Sequence, residues 1–391
     1  MKQSNNQTIL VTGGAGYIGS LTVKQLCDDG YDVVVLDSLE NGHREAVDPR
    51  AQLEIVDLAD LDQTEKVFEK HKIEAVIDFA AYLAVGESME NPEKYIRNNV
   101  INFIKLLHCM KRYDVRNIIK SSTASTYGNP KKESDFPLIE SYQENYQPSH
   151  SALLPGKWKD KELEGEEFFQ EIITYYDFFY KSIPDFALSQ ADITKLRIPT
   201  SVYGLTKLLD EIILEKYNRI LGINWVALRY FNVCGASLDG KMGEDKPKPT
   251  TLMTLAIWSL LDKIDKLQVF GNDYPTKDGT GIRDYVHPLD LATGHISALE
   301  YLLDGNKSAV FNLGNGTGYS VFEVIKAVEI ASHKKVKYEI KSRRSGDPAI
   351  SFCDPRKAKN ILGWRAKYNL TDMAETAWKW HSKHPEGYNG G

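Results

Sequence analysis

The stretch TILVTGGAGYIG, residues 8–19, runs from five apolar and β-branched residues straight into four closely spaced glycines. Gly13, Gly16 and Gly19 satisfy G-x-x-G-x-x-G, and Gly14, Gly16 and Gly19 satisfy G-x-G-x-x-G. Glycine is demanded here for separate reasons: one for the tight turn, one to let backbone amides approach a pyrophosphate, one to let a helix pack closely on its strand. The helix that follows then points its N-terminus, with Tyr17 and Ile18 in its first turn, at the anion. Asp37 ends the next strand-like run, 18 residues beyond Gly19. A carboxylate at that place accepts hydrogen bonds from ribose hydroxyls and repels a 2′-phosphate, so the reading is a dinucleotide site for NAD rather than NADP.

Outward from this loop the pattern repeats. The runs 8–12, 31–37, 53–57, 74–80 and 115–122 alternate with helical segments, the signature of βαβ units in a parallel, doubly wound sheet. Gly30 is placed as a helix C′ residue and Pro92 in the first turn of a long helix. A helix over about 203–221 and a strand over about 224–230 continue the alternation. The fold class is therefore α/β: a Rossmann domain over residues 1–232, then a smaller mixed α/β substrate domain over 233–391, partly interleaved with the first. The alternation lapses between about 142 and 196, where aromatic residues recur at helical spacing, and this stretch is read as a helical insertion.

Composition narrows the class. With 42% hydrophobic and 26% charged residues in 391, the chain matches folded soluble proteins, and no apolar run approaches the roughly 20 residues that span a bilayer. The polar start, Met1 to Gln7, has no signal-peptide core, which points to the cytoplasm. Cys27, Cys109, Cys234 and Cys353 lie far apart, so neither a metal site nor a disulfide framework is indicated. A net charge of −6 with interspersed signs argues against a nucleic-acid surface.

Tyr203 and Lys207 stand at i and i+4 on one face of their helix. A tyrosine is a poor base at neutral pH, but a neighbouring ammonium favours its phenolate. Tyr203 is then able to take a proton from a substrate hydroxyl as hydride leaves the same carbon. Ser121-Ser122-Thr123 ends the fifth strand, where sheets of this kind bind ligands, and offers a hydroxyl to the reacting oxygen.

With these residues in place the chain resembles the extended short-chain dehydrogenase/reductase family, and within it the branch that epimerises UDP-hexoses at C4. The strings AVGESMENPEKYIRNNV (84–100), LRYFNVCGA (228–236), VFGNDYPTKDGTGIRDYVH (269–287) and RRSGDPAISFCDPRKA (343–358) carry the resemblance. It implies Thr123, Tyr203 and Lys207 as the catalytic set, with Tyr203 the base and Lys207 also on the cofactor ribose. It implies cofactor contacts from Asp37, Ser38, Asn41 and Gly42 at the adenosine ribose, from Asp57 and Leu58 at the adenine, and from Phe79, Ala80, Asn98 and Phe231. It implies that Thr123, Tyr203, Asn232, Leu252, Phe270, Arg283, Arg344 and Asp347 hold a UDP-sugar. Two arginines suit a diphosphate, because guanidinium binds phosphate oxygens in bidentate fashion. Ser351 resembles a gate beside the C2 substituent, where a small residue leaves room for an N-acetyl group, so UDP-GlcNAc and UDP-GalNAc are expected to be accepted as well. A homodimer is implied by the family.

Three departures stand out: Leu83 where many members carry lysine, Thr250-Thr251 where an asparagine pair is common, and a longer connection from Tyr127 to Tyr203. Two other readings compete. A dehydratase or decarboxylase shares the first oxidation, but dehydratases place an Asp-Glu pair after the catalytic Thr, and here Ala124-Ser125 follows Thr123. A non-catalytic NAD-binding sensor commonly lacks catalytic residues that this chain retains.

Overall fold

A computed structural model describes residues 7–128, 130, 135–140, 199–344 and 347–390. The insertion expected at about 142–196 lies outside the described residues. In chain order the strands are β1 (Thr8–Thr12), β2 (Asp32–Asp37), β3 (Gln52–Ile55), β4 (Ile73–Asp78), β5 (Asn117–Thr123), β6 (Asn224–Tyr230), β7 (Asn232–Val233), β8 (Leu267–Phe270), β9 (Ile282–Val286), β10 (Ala309–Leu313), β11 (Gly318–Ser320), β12 (Tyr338–Lys341) and β13 (Ile350–Ser351).

Seven of these form one sheet in the order β10-β6-β5-β4-β1-β2-β3, parallel throughout. That is the doubly wound order, extended by β10. The alternation of side chains explains why it needs helices on both faces. Ile9, Val11, Val33, Val35, Ala75, Ile77, Ile119 and Val226 point into one apolar cluster, and Leu10, Val34, Leu36, Val76, Ile118 and Ala227 into another. The helices Tyr17–Asp28 and Pro288–Leu303 pack together on the first face. On the second, Phe103, Leu106, Leu107 and Met110 from Asn102–Arg112 and Leu214 from Val202–Leu221 fill the cluster.

The long helix expected after Pro92 is helical to Arg112 but contains a π turn over Arg97–Ile101. Such an expanded turn re-aims side chains. Here Asn99 is fully buried, accepts the Tyr82 N–H at 2.8 Å and donates to Thr206 Oγ1 at 3.1 Å. Helix Val202–Leu221 begins where Ser201 Oγ accepts the Gly204 N–H and ends at Gly222 in the left-handed region.

The remaining strands build a smaller sheet, β11-β9-β13 with β7 also on β9, and a β12-β8 pair. They share an apolar cluster with Met253, Ile257, Val324, Val328 and Met373. Among the described residues no helix is long and apolar enough to cross a membrane.

Candidate functional site

The glycine loop leaves the C-terminal end of β1 beside that of β4, the point at which strand order reverses. Gly13, at φ +69°, has no room for a side chain: a Cβ would lie 2.7 Å from Ala80 N and 2.9 Å from Phe79 C. Gly19 is equally closed, since its Cβ would sit 2.3 Å from the Gly13 carbonyl oxygen. Gly16 differs, for there a Cβ would meet only that same oxygen, at 3.3 Å. Helix Tyr17–Asp28 starts at Gly16 without a side-chain cap, the arrangement in which first-turn N–H groups receive an anion. These are the features of a pyrophosphate cradle, and the residues present fit a dinucleotide.

Tyr17 and Ile18 open the helix that follows the loop. The Tyr17 hydroxyl donates to the Gly235 carbonyl at 2.6 Å, and Ile18 packs against the first apolar cluster. Asp37 is buried at the end of β2 and accepts the Ala15 N–H at 2.9 Å and the Leu39 N–H at 2.9 Å. Burial pushes its carboxyl up, opposed by those two hydrogen bonds. Gly42 closes on it, since a Cβ there would lie 2.9 Å from Asp37 Oδ1. Ser38 and Asn41 are exposed on the same loop, with Ser38 Oγ accepting the Glu40 N–H. Asp57 is exposed and accepts the Ala59 N–H, whereas Leu58 is buried in the second cluster. Phe79 and Ala80 follow β4 directly, and the Phe79 ring lies 4.5 Å from that of His295. Asn98 sits on the π turn and donates to Asn99 Oδ1. The Phe231 side chain is buried against Tyr127, Leu138 and Cys353.

Thr123 ends β5, and its Oγ1 accepts the Ser125 N–H at 3.2 Å. The Tyr203 N–H is held by Ser88 Oγ at 3.1 Å, and the Thr123 side chain lies close enough to the Tyr203 phenol to lower it. Lys207 is buried and donates to the Ser121 carbonyl at 3.0 Å. Thr123, Tyr203 and Lys207 thus converge at the C-terminal end of the sheet.

Burial raises the Tyr203 phenol to about 12, opposed by the Thr123 side chain and by the charge of Lys120. Lys207 itself is pushed below its ordinary value, first by burial and then by repulsion from Lys120. The sequence reading missed Lys120. Its Nζ lies 2.6 Å from Asp78 Oδ2 and 3.0 Å from Asp210 Oδ2, with all three side chains at most 1% exposed. Thr12 Oγ1 and the Ala80 N–H complete the shell of Asp78 at 2.5 and 3.1 Å. The available signal was a charged residue interrupting each of the apolar runs that contain Asp78 and Lys120.

Of the expected substrate residues, Arg283 lies on β9, with Asn232, Ser351 and Asp347 beside it. Register places Arg283 opposite Ser351 of β13 and Tyr319 of β11. Asn232 lies beside Tyr285 and donates its side chain to the Asp284 carbonyl at 2.9 Å. Arg283 donates to the Ile282 carbonyl at 2.9 Å, and its other Nη atom is 3.8 Å from Asp347. Arg344 is exposed with its guanidinium 3.9 Å from the Phe270 ring centroid, a cation–π contact. Leu252 opens helix Leu252–Leu260 and packs against the smaller unit's core. Arg283, Ser351 and the Asp347 carboxylate are therefore neighbours, and the Arg344 carbonyl accepts the Asp347 N–H.

The model of the "NAD dependent epimerase/dehydratase family" matches residues 9–152, and that of "GDP-mannose 4,6 dehydratase" matches residues 187–377. A UDP-glucose 4-epimerase of Lacticaseibacillus casei is 40% identical over 97% of this chain and 98% of its own. The UDP-glucose 4-epimerase of Bifidobacterium longum, solved with NAD+ and UDP, superposes with a TM-score of 0.78 at 34% identity, covering 98% of this chain and 100% of that one. The UDP-Glc/GlcNAc 4-epimerase of Campylobacter jejuni superposes with a TM-score of 0.72 at 33% identity, covering 97% and 100%.

Proposed function

This chain belongs to the UDP-glucose 4-epimerase family, and on that footing we propose that it interconverts UDP-glucose and UDP-galactose by inverting C4 with NAD held throughout. The observation that carries the reading is the convergence of Thr123, Tyr203 and Lys207 beside a glycine cradle closed by Asp37. Bound NAD supplies a reversible hydride acceptor next to the sugar. Tyr203 takes the proton of the C4 hydroxyl while Thr123 hydrogen-bonds the same oxygen, and the proton returns when the transient 4-keto sugar is reduced on its other face. Lys207 holds the cofactor ribose and keeps positive charge near the phenolate. Arg283 and Arg344 grip the diphosphate, which stays fixed while the sugar turns over, and no net oxidation results.

The dehydratase reading draws on the family model that matches residues 187–377. It requires an acid next to the catalytic threonine, where this chain has Ala124 and Ser125. Incubating the protein with UDP-galactose and following the sugar by NMR decides the matter: UDP-glucose supports epimerisation, and a 4-keto-6-deoxy product or no conversion overturns it.

Substrate breadth rests on Ser351. It lies beside Arg283, partly exposed, and its small side chain leaves room for a C2 acetamido group and a hydroxyl to bond it. The enzyme accordingly acts on UDP-GlcNAc and UDP-GalNAc too. It works as a cytoplasmic homodimer, with the cofactor and substrate units divided near residue 232; native mass measurement tests the assembly.

A further inference from the structure

Beneath the site lies a set of buried charges that the reaction does not obviously need. Lys120 stands in the middle of β5 with its ammonium against Asp78 of β4 and Asp210 of helix Val202–Leu221. The ring of Phe103 covers the ammonium at 3.8 Å. Removing three charges from water is costly, and apolar side chains of similar size serve stability as well or better. A purely structural role therefore explains poorly why they are here. Their place explains more. Tyr203, Lys207 and Asp210 occupy positions i, i+4 and i+7 of one helix and so share a face. Lys120 immediately precedes Ser121, whose carbonyl accepts from Lys207. A pair from Asp210 to Lys120 thus pins to β5 the helix face that presents the phenol, and Asp78 ties the pair to the end of β4.

We propose that Lys120, clamped between Asp78 and Asp210, is a positioning residue of this enzyme: a second buried cation that fixes the Tyr203 helix against the sheet and sets the charge balance around Tyr203 and Lys207. This rests on the epimerase reading above. The groups facing the array are Asp78 and Thr12 from the strands, Ser121, Ser122, Arg229 and Tyr230 around β5 and β6, Glu211 on the helix, and His295 behind Tyr230. Most are already committed: Ser122 Oγ and Arg229 both pair with Glu211, and the His295 ring lies 5.7 Å from Tyr230. Lys120 is the cation whose charge lowers Tyr203 and also lowers Lys207; Asp210 raises both.

Those signs make the test specific. In the NAD-loaded enzyme, the pH profile of kcat has an acidic limb from the base and an alkaline limb from the ammonium, as macroscopic values of the coupled set. Lys120→Met is expected to slide both limbs up by about one unit, and Asp210→Asn to slide both down by about the same. Lys120→Arg keeps the charge and restores the wild-type position. KM for the UDP-sugar stays within about twofold, since none of these residues meets the diphosphate. Limbs that stay in place, or that move the same way in both variants, overturn the proposal, because a loss of stability alone has no reason to produce opposite signs. Should Lys120→Met be insoluble, Asp210→Asn with Lys120→Gln carries the same comparison. A second readout needs no substrate: phenolate absorbance of the NAD-loaded protein, minus that of its Tyr203→Phe counterpart, titrates Tyr203 directly. That titration moving up in Lys120→Met supports the array even if the wild type fails to epimerise UDP-galactose, and an unmoved titration refutes it even if the enzyme is active.

Discussion

Replacing Gly16 and Gly19 separately by alanine distinguishes a glycine kept for the protein's own packing from one kept for a ligand. At Gly19 the added Cβ would stand 2.3 Å from the Gly13 carbonyl oxygen and 2.9 Å from Gly14 Cα, both backbone, so helix Tyr17–Asp28 has to move off its loop. Overpacking of this kind costs roughly 1–3 kcal/mol, and it distorts the cradle as well. At Gly16 the backbone is extended, with φ −81° and ψ 176°, which alanine adopts readily, and the one contact is at 3.3 Å. The small steric cost is offset by the roughly 0.4–1 kcal/mol gained when glycine's freedom in the unfolded chain is removed. Gly16→Ala should therefore leave the stability of cofactor-stripped protein within about 0.5 kcal/mol, on the scale of an ordinary surface change. Its requirement for glycine comes from the ligand, whose pyrophosphate has to approach this amide. Affinity for NAD should fall by at least about 1.4 kcal/mol, or tenfold. Urea unfolding of the stripped protein and calorimetric titration with NAD give the two numbers. Gly19→Ala should lose both stability and affinity, and Gly16→Ala affinity alone. Undiminished NAD binding by Gly16→Ala would refute the assignment of this loop as the pyrophosphate cradle.

Tyr203→Phe should lower kcat by about 10²-fold or more, the scale of a lost general base, while denatured protein still releases a full complement of NAD; near-normal turnover would remove Tyr203 from the mechanism. Arg283→Ala should raise KM for UDP-galactose by roughly 10- to 100-fold, as expected when a charge-assisted hydrogen-bonding partner worth about 1.5–3 kcal/mol is lost, and an unchanged KM would place the diphosphate elsewhere. Ser351→Tyr should abolish kcat/KM for UDP-GalNAc while sparing UDP-galactose; wild-type protein inactive on UDP-GalNAc, or a variant that loses neither, rejects the gate. Burial holds His287 down to about 3 and His295 down to about 4, from the usual 6.5. Because these folded values are depressed, the two rings contribute stability that is full above 6.5 and is lost as pH falls toward 4 and then 3, by up to about 1.4 kcal/mol per pH unit for each. His287→Asn keeps an acceptor for the Leu289 N–H but does not titrate, so its stability should fall less steeply between pH 6 and 4 in denaturant melts; an identical slope would contradict the assignment.

The readable part of this protein is the part governed by local rules. The glycine spacing after β1, the carboxylate ending β2 and the i, i+4 placement of Tyr203 and Lys207 each follow from turn sterics, strand alternation and helix pitch, which act over a few residues. Even the expected helix after Pro92 was legible in extent, though not its π turn, because that depends on Asn99 reaching Tyr82 and Thr206 from distant segments. Ser351's position opposite Arg283 comes from the pairing of β13 with β9, two short strands 68 residues apart at that register, with no spacing rule to announce it. The electrostatics lay furthest from reach. A lysine in an apolar strand is visible as an anomaly, but its partners Asp78 and Asp210 lie 42 residues before it and 90 after it. The presence of a second cation near Tyr203 was therefore decided by folding: Lys207 donates its ammonium to the Ser121 carbonyl, and the sheet brings Lys120 beneath the phenol's helix. Charge acts through space in a medium of low dielectric, so its consequences are decided only when packing sets the distances.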